Sequence, residues 1–81
     1  MPDNVRSEAD KLESLEVKLR SAEDLQDGKA IAKARAAMQS EVNAVNKQGK
    51  DFASQVYNQV VDDEEQLSKA ILAKLKELGL E

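Results

Sequence analysis

The sequence predicts an all-α protein, with an antiparallel helical hairpin or three-helix arrangement built around a long central helix. Three observations lead to this prediction. Strong helix formers such as Ala, Leu, Glu, Lys and Gln dominate the 81 residues, and the single proline is at position 2. Apolar residues recur at steps of three and four, the spacing of one helix face. Charged residues make up 35% of the chain and aromatic residues only 2%, a composition typical of coiled coils and helical bundles.

The first predicted helix covers about residues 7–26. Ser7 is the expected N-cap, because its hydroxyl can accept a free backbone N–H at the helix start. Glu16 and Arg20 are spaced as an i,i+4 ion pair, which we expect on the solvent side. Gly28 is the expected C-terminal cap, since glycine readily adopts the left-handed conformation that ends many helices. The apolar face of this helix is Leu12, Leu15, Leu19 and Ala22.

One long helix is predicted over residues 29–61. Its apolar residues keep a mean step close to 3.6 residues, and Gly49 falls in phase with them. A break at Gly49 would usually reset this phase, so the pattern favours a continuous helix about 50 Å long. The alternative ends one helix at Gln48 and begins another at Lys50. Gly49 is the weak point, costing about 1 kcal/mol relative to alanine.

The last predicted helix covers about residues 63–78. Asp62 can act as its N-cap, with Glu65 completing a capping box. Gly79 is expected to end the helix, followed by an apolar contact from Leu80. The apolar residues of this segment are Leu67, Ala70, Ile71, Leu72, Leu75 and Leu78.

Charge alternates along the single domain of residues 1–81. Residues 1–28 carry a net charge of −4, residues 29–61 carry +3 and residues 62–81 carry −3, which together give the −4 of the chain. A basic middle helix between two acidic ones lets each outer helix fold back along half of it. Exposed ion pairs contribute only about 0–1 kcal/mol each, so we expect them to fix register and orientation.

The three predicted helices leave an incomplete core in a single copy. At any level the long helix would contact one other helix, and a two-helix layer cannot bury a broad apolar face. The chain also has no cysteine and no histidine for a disulfide or a structural zinc site. We therefore expect a homodimer or a higher oligomer with a four-helix cross-section. The residues expected at the interface are Ile31, Ala34, Met38, Val42, Val45, Phe52, Val56, Val60, Leu67, Ile71, Leu72 and Leu75.

Small residues are concentrated at the start of the long helix. This patch consists of Ala30, Ala32, Ala34, Ala36 and Ala37. Helix propensity alone can account for these alanines. The second interpretation is a place where another helix approaches closely, because short side chains reduce the distance between helix axes.

The composition argues against an enzyme, a metal protein or a cofactor-binding protein. Without His or Cys the chain lacks the usual general base, thiol nucleophile and metal ligand, so we expect no catalytic residue, no metal and no cofactor. Tyr57 is better explained as a packing residue at the edge of the apolar face. Residues 62–65 lack the alternating oxygen ligands and central glycine of an EF-hand, and a solvated helix start explains them better than a cation site.

Charge and hydropathy also limit the expected partners. The net negative charge argues against nucleic acid and anionic membranes, and the acidic outer helices would neutralise the basic middle helix. No apolar run approaches the roughly 18 residues of a membrane span, and no signal peptide is recognisable. We expect a soluble, cytoplasmic protein.

The function predicted from these observations is a helical protein–protein interaction or assembly module, such as an adaptor, a scaffold or a chaperone-like protein. We expect it to self-associate and to bind a larger protein. The alternative is a small acidic regulator or inhibitor that docks on a basic surface of an enzyme or a nucleic-acid machine. Ionic strength separates the two, because acidic docking weakens with added salt while apolar assembly changes little.

Overall fold

Every regular element that the structure describes is an α-helix. This computed structural model describes residues 3–63 and 69–78. Its helices are α1 (Asp3–Asp24), α2 (Gly28–Lys47), α3 (Lys50–Asp63) and α4 (Lys69–Glu77). The all-α prediction is confirmed, but the described residues form four helices where three were predicted.

The first helix begins earlier than predicted. α1 starts at Asp3, and Ser7 is an exposed residue within the helix, so its assignment as N-cap was wrong. Val5 is buried in the core and Arg6 forms an ion pair with Asp63 on α3. These tertiary contacts hold Val5 and Arg6 in the helix, ahead of its predicted start at about residue 7.

The turn between α1 and α2 also differs from the prediction at Gly28. Gln26 takes the left-handed conformation, with φ of 55°, and Gly28 is the first residue of α2. Asp27 is the N-cap of α2, and its Oδ1 accepts a hydrogen bond from the backbone N–H of Ala30 at 3.2 Å. Aspartate is a better N-cap than glycine because its carboxylate satisfies a free N–H. The strong cap therefore sets the start of α2 and places the left-handed residue before it.

The prediction of one continuous helix over residues 29–61 was wrong. α2 ends at Lys47, α3 begins at Lys50, and Gly49 between them has φ of 121°, a conformation that only glycine adopts readily. The break lets α3 turn back onto α1. This packing buries Val56 and Tyr57 completely, and the apolar burial outweighs the lost helical turn.

All four helices contribute to one hydrophobic core. α1 packs against α2 and α3, and α2 also contacts α3 and α4. The core residues are Val5, Ala9, Leu12, Met38, Val42, Val45, Ala53, Val56, Tyr57, Val60, Ile71 and Leu75. A single chain thus buries the apolar face that the sequence was expected to bury only with a second copy.

Asp62, the predicted N-cap of the last helix, lies instead in the last turn of α3. Asp62 and Asp63 are the last two residues of α3. The proposed capping partner Glu65 lies outside the described residues, as do Gly79 and Leu80. Within the last predicted helix, the described part is α4, with Lys74 and Lys76 in its last turn where they suit the helix dipole.

Candidate interaction surface

Most of the predicted interface lies inside the folded chain. Seven of the twelve residues are buried in the core: Met38, Val42, Val45, Val56, Val60, Ile71 and Leu75. Ile31, Ala34 and Phe52 are partly buried, Leu72 is 38% exposed, and Leu67 lies outside the described residues. The buried residues present no surface to a partner while the chain is folded, so a docking surface must be sought elsewhere.

An open groove of about 350 Å³ lies between α1 and α2 near the turn that joins them. We call this surface the outer groove. Its lining residues are Leu15, Lys18, Ala22, Ala30, Lys33, Ala34 and Ala37. All of them belong to α1 or α2. Five of the seven are apolar, so the groove has an apolar floor with lysines at its rim.

The spacing of these residues explains why the groove is open. On α1 the lining residues follow steps of three and four and share one face, and those on α2 do the same. Alanine side chains at 22, 30 and 34 are too short to fill the space between two helices. Three alanines of the small-residue patch, Ala30, Ala34 and Ala37, line the groove. The other two, Ala32 and Ala36, are exposed and do not line it.

Positive charge lies midway along the outer groove. Lys18 on α1 and Lys33 on α2 both line it, with Ala22 and Ala30 nearer the α1–α2 turn. Lys18 is exposed and so is Lys33. Among residues 3–63 and 69–78, neither lysine has a carboxylate oxygen within 4.0 Å.

Negative charge lies beyond the groove, at the end of the α1–α2 pair that is away from the turn. Glu8 precedes Leu15 by seven positions on α1, and Glu41 follows Ala37 by four on α2, so both continue the groove-lining stripes. The two carboxyl groups lie side by side across the α1–α2 contact. We call this pair the glutamate end. Lys11 Nζ lies 3.7 Å from Glu8 Oε1 and compensates part of its charge.

The surroundings of Glu8 disfavour its charged form. Burial of the Glu8 carboxyl group, followed by its contact with Glu41, raises the pKa of Glu8 above its ordinary value, while Lys11 acts in the opposite direction. Glu8 Oε2 is buried and accepts no hydrogen bond from any residue that the structure describes. The Glu8 carboxyl group therefore holds its proton more tightly than an exposed glutamate does.

A second charged cluster joins α1 to α3 and lies away from the outer groove. Arg6 contacts Asp63, and its Nη2 lies 2.7 Å from Asp10 Oδ1 and 3.3 Å from Glu13 Oε2. Burial, with the neighbouring carboxylate of Asp63, raises the pKa of Glu13 to about 7. Arg6 lowers the pKa of Asp63 through their hydrogen bond. The cluster fixes how α3 crosses α1.

Tyr57 is more deeply placed than the sequence indicated. It is fully buried, and its hydroxyl donates a hydrogen bond to Asn46 Oδ1 at 3.1 Å across the α2–α3 junction. Burial, together with the charge of Glu77, raises the pKa of Tyr57 to about 12. Its packing role was predicted, but its central position was not, because it depends on the break at Gly49.

Glu16 is the buried charge that the sequence pattern missed. The predicted pair with Arg20 forms, with Glu16 Oε1 at 2.8 Å from Arg20 Nη2, but the Glu16 side chain is 0% exposed where a solvent-facing side chain was expected. The i,i+4 spacing identified the partner correctly. It carried no information on burial, because other parts of the fold decide which side of α1 is covered.

Two further kinds of feature were sought among the described residues. In residues 3–63 and 69–78, no group of three or more acidic side chains is arranged to hold a metal ion. Of the described helices, none combines the length and the apolar character needed to span a bilayer. No known family model matches the chain, and neither a curated protein nor a solved structure resembles it significantly.

Proposed function

We propose that the protein is a non-enzymatic helical interaction module that binds other helices through the outer groove. The observation that carries this proposal is the groove itself, an apolar concavity of about 350 Å³ lined only by α1 and α2. The core of the chain is closed elsewhere by α3 and α4. The groove residues therefore contribute an apolar surface beyond what the core of a single chain uses.

The composition of the groove favours a helix as its ligand. Alanines at 30, 34 and 37 let another helix axis come within about 8–10 Å, the range of packed helices. Leu15 and Ala22 supply apolar contact on the α1 side. Leu25, in the turn at the same end, is 79% exposed and extends the apolar surface.

Self-association is part of this proposal. Two α1–α2 hairpins that face each other across their outer grooves would form a four-helix cross-section, a common arrangement of helical bundles. In this proposal, oligomerisation adds contacts at the groove, while the core of each copy is already complete within the single chain. The predicted interface moves from the Ile31–Val60 stripe to the neighbouring face of α2, with Ala34 as the residue shared by both.

A photo-crosslinking experiment in the cells that produce the protein tests the proposal. A diazirine-bearing lysine analogue is introduced at Lys33, on the rim of the groove, or at Lys50, an exposed residue at the start of α3. We expect protein adducts of defined mass from position 33 and none from position 50. Equal yields from the two positions, or no adduct from position 33, would contradict an interaction role for the groove.

A further inference from the structure

The two lysines that line the outer groove lie opposite each other at its middle. α1 and α2 run antiparallel on either side of the short turn at residues 25–27, so positions equally far from this turn lie at the same level. Lys18 is eight positions before Gln26, the middle residue of the turn, and Lys33 is seven positions after it. We call these two residues the lysine pair.

Apolar residues lie on both sides of the lysine pair along the groove. Leu15 and Ala37, each eleven positions from Gln26, form the level away from the turn. Ala22 and Ala30, each four positions from Gln26, form the level near the turn. These levels are about 10 Å apart, the length of about two turns of a helix. A helix in the groove therefore meets an apolar level, a cationic level and a second apolar level.

The lysine pair lacks an anionic partner in the part of the chain that the structure describes. Across residues 3–63 and 69–78, no carboxylate oxygen lies within 4.0 Å of either ammonium group. Two other cations of these helices are paired, Lys11 with Glu8 and Arg35 with Glu23. A purely apolar ligand would remove water from the lysine pair and put nothing in its place, which is unfavourable. The groove thus requires carboxylates from its ligand.

We infer that the outer groove binds an acidic amphipathic helix of another protein. The apolar stripe of this helix enters the groove, and carboxylates on both sides of the stripe pair with the lysine pair at its middle. This inference rests on the proposed function and adds the chemistry of the partner to it. Charges that flank an apolar seam select partners in the same way in coiled coils.

Other occupants match the groove less well. A basic helix would bring like charges together at the lysine pair, which is unfavourable at an interface. A second copy that meets the groove with its own groove in the same register would place four lysines around a two-fold axis. Self-association through this surface is therefore weaker than binding of the acidic helix. A partner helix that reaches the glutamate end needs a neutral or basic residue there, so its acidic residues belong at the middle of the groove.

Two synthetic helical peptides test the inference. Each has about 20 residues, enough for a helix to form in isolation, and both have the same stripe of leucine and alanine. One carries glutamate and the other lysine at the positions that flank the middle of the stripe. Fluorescence anisotropy of the labelled peptides, titrated with the whole chain, should show that the glutamate peptide binds at least about tenfold more tightly. The net charge of −4 favours the lysine peptide at long range, so a preference for glutamate must arise from local cations.

Charge-reversal variants locate the site. Lys18→Glu with Lys33→Glu should reverse the preference, so that the lysine peptide binds more tightly. Lys47→Glu with Lys50→Glu is the matched control, because it makes the same change in net charge at exposed positions. Lys47 lies ten positions beyond Ala37, about 15 Å along α2 and further than the Debye length of about 8 Å at physiological ionic strength. The control should therefore keep the preference of the wild type, and circular dichroism checks that both variants are folded.

The inference and the proposed function fail in different ways. Reversal of the preference in the first double variant alone supports an acidic helix at the lysine pair. Equal binding of the two peptides to the wild type overturns the inference and leaves the groove as a helix-binding site without charge selection. A preference for glutamate that survives in the first double variant also overturns it, as does the absence of any binding by the glutamate peptide. The crosslinks at Lys33 test the proposed function independently of all these outcomes.

Discussion

The guanidinium of Arg6 on α1 pairs with the carboxylate of Asp63, the last residue of α3. A carboxylate in this position faces the negative end of the helix dipole, which is unfavourable. Arg6 supplies the compensating charge, and its hydrogen bond lowers the pKa of Asp63. Since the same guanidinium also contacts Asp10 and Glu13, one cation holds three carboxylates at the α1–α3 crossing.

The carboxyl group of Glu13 gives this cluster a pH dependence. Its pKa is raised to about 7 by burial and by Asp63, whereas an unfolded glutamate titrates near 4.5. The folded state therefore binds the proton more tightly, and the contribution of Glu13 to stability is complete below about pH 4.5 and is lost as the pH rises through about 7. We expect Glu13→Gln to match the wild type near pH 4.5 and to be more stable at pH 8, as measured by urea unfolding at both pH values.

A glutamate outside the cluster provides the control. Glu23 lies on the same helix, its side chain is 47% exposed, and it lies near Arg35 on α2, outside the Arg6 cluster. The difference between Glu13→Gln and Glu23→Gln isolates the effect of the Arg6 cluster. A loss of stability in Glu13→Gln at pH 8 would show that the attraction to Arg6 outweighs burial and the repulsion from Asp63.

The position of Asp62 and Asp63 shows where local sequence signals fail. Acidic residues favour helix N-termini, so the acidic run predicted the start of a helix. In the structure both residues end α3, and the compensating Arg6 lies 57 positions away from Asp63 in the sequence. Helix propensity predicted the helical class correctly, and eight of the twelve core residues lie on the apolar helix faces that the spacing indicated. A pairing between residues so far apart leaves no periodic signal.

The break at Gly49 failed as a prediction for a different reason. α2 and α3 bury their apolar residues in the same core, so the phase of the pattern continues across the break although the helix does not. Periodicity reports which face is buried and does not report whether the axis is straight. The glycine itself was the available signal, since its φ of 121° is needed at the turn.

Substitution of Gly49 tests this requirement. A Cβ at Gly49 would contact nothing within 4 Å, so the cost of Gly49→Ala is that of the backbone conformation alone. We expect a loss of about 1–2 kcal/mol in the free energy of unfolding, measured by chemical denaturation.

Gly28→Ala is the matched control for Gly49→Ala. Gly28 is helical and a Cβ added there would be equally unobstructed, so alanine at this position should be neutral or should stabilise by up to about 1 kcal/mol. Equal effects of the two substitutions would be inconsistent with a turn that depends on positive φ at Gly49.

The outer groove was only partly predictable from the sequence. The alanines around Ile31 indicated a place of close helix approach, and Ala34 was among the predicted interface residues. Which side of the α1–α2 pair stays open depends on where α3 and α4 pack, and that depends on the turn at Gly49. The proximity of Glu8 and Glu41 beyond the groove was not predictable either, because 33 positions separate them in the sequence.

Leu12 in α1 and Leu25 directly after it separate the effect of core packing from that of surface exposure. Leu12 on α1 is 0% exposed, whereas Leu25 directly after α1 is 79% exposed. Leu12→Ala should lower the free energy of unfolding by about 2–5 kcal/mol, because it removes buried methyl groups and leaves a cavity. Leu25→Ala should change it by less than about 0.5 kcal/mol. Denaturant unfolding of both variants measures this difference, and similar losses would place Leu25 in a covered environment.

Tyr57 is the only tyrosine, so its ionisation can be followed directly by its ultraviolet absorbance. Burial and the charge of Glu77 raise its pKa to about 12, above the ordinary value of 10. The folded state therefore keeps the phenolic proton longer than the unfolded state does. Its contribution to stability is complete below about pH 10 and is lost as the pH rises towards 12.

A rapid pH jump to about 11 should leave Tyr57 protonated until the chain unfolds, while the chain in denaturant should ionise at once near the ordinary pKa of about 10. Glu77→Gln separates the two causes. Since burial is the larger cause, Tyr57 in this variant should still ionise above its ordinary pKa, though at a lower pH than in the wild type. Immediate ionisation of the folded protein after the jump would mean that the hydroxyl near Asn46 is open to solvent. In that case the junction of α2 and α3 around Gly49 would not form the closed packing that buries this side chain.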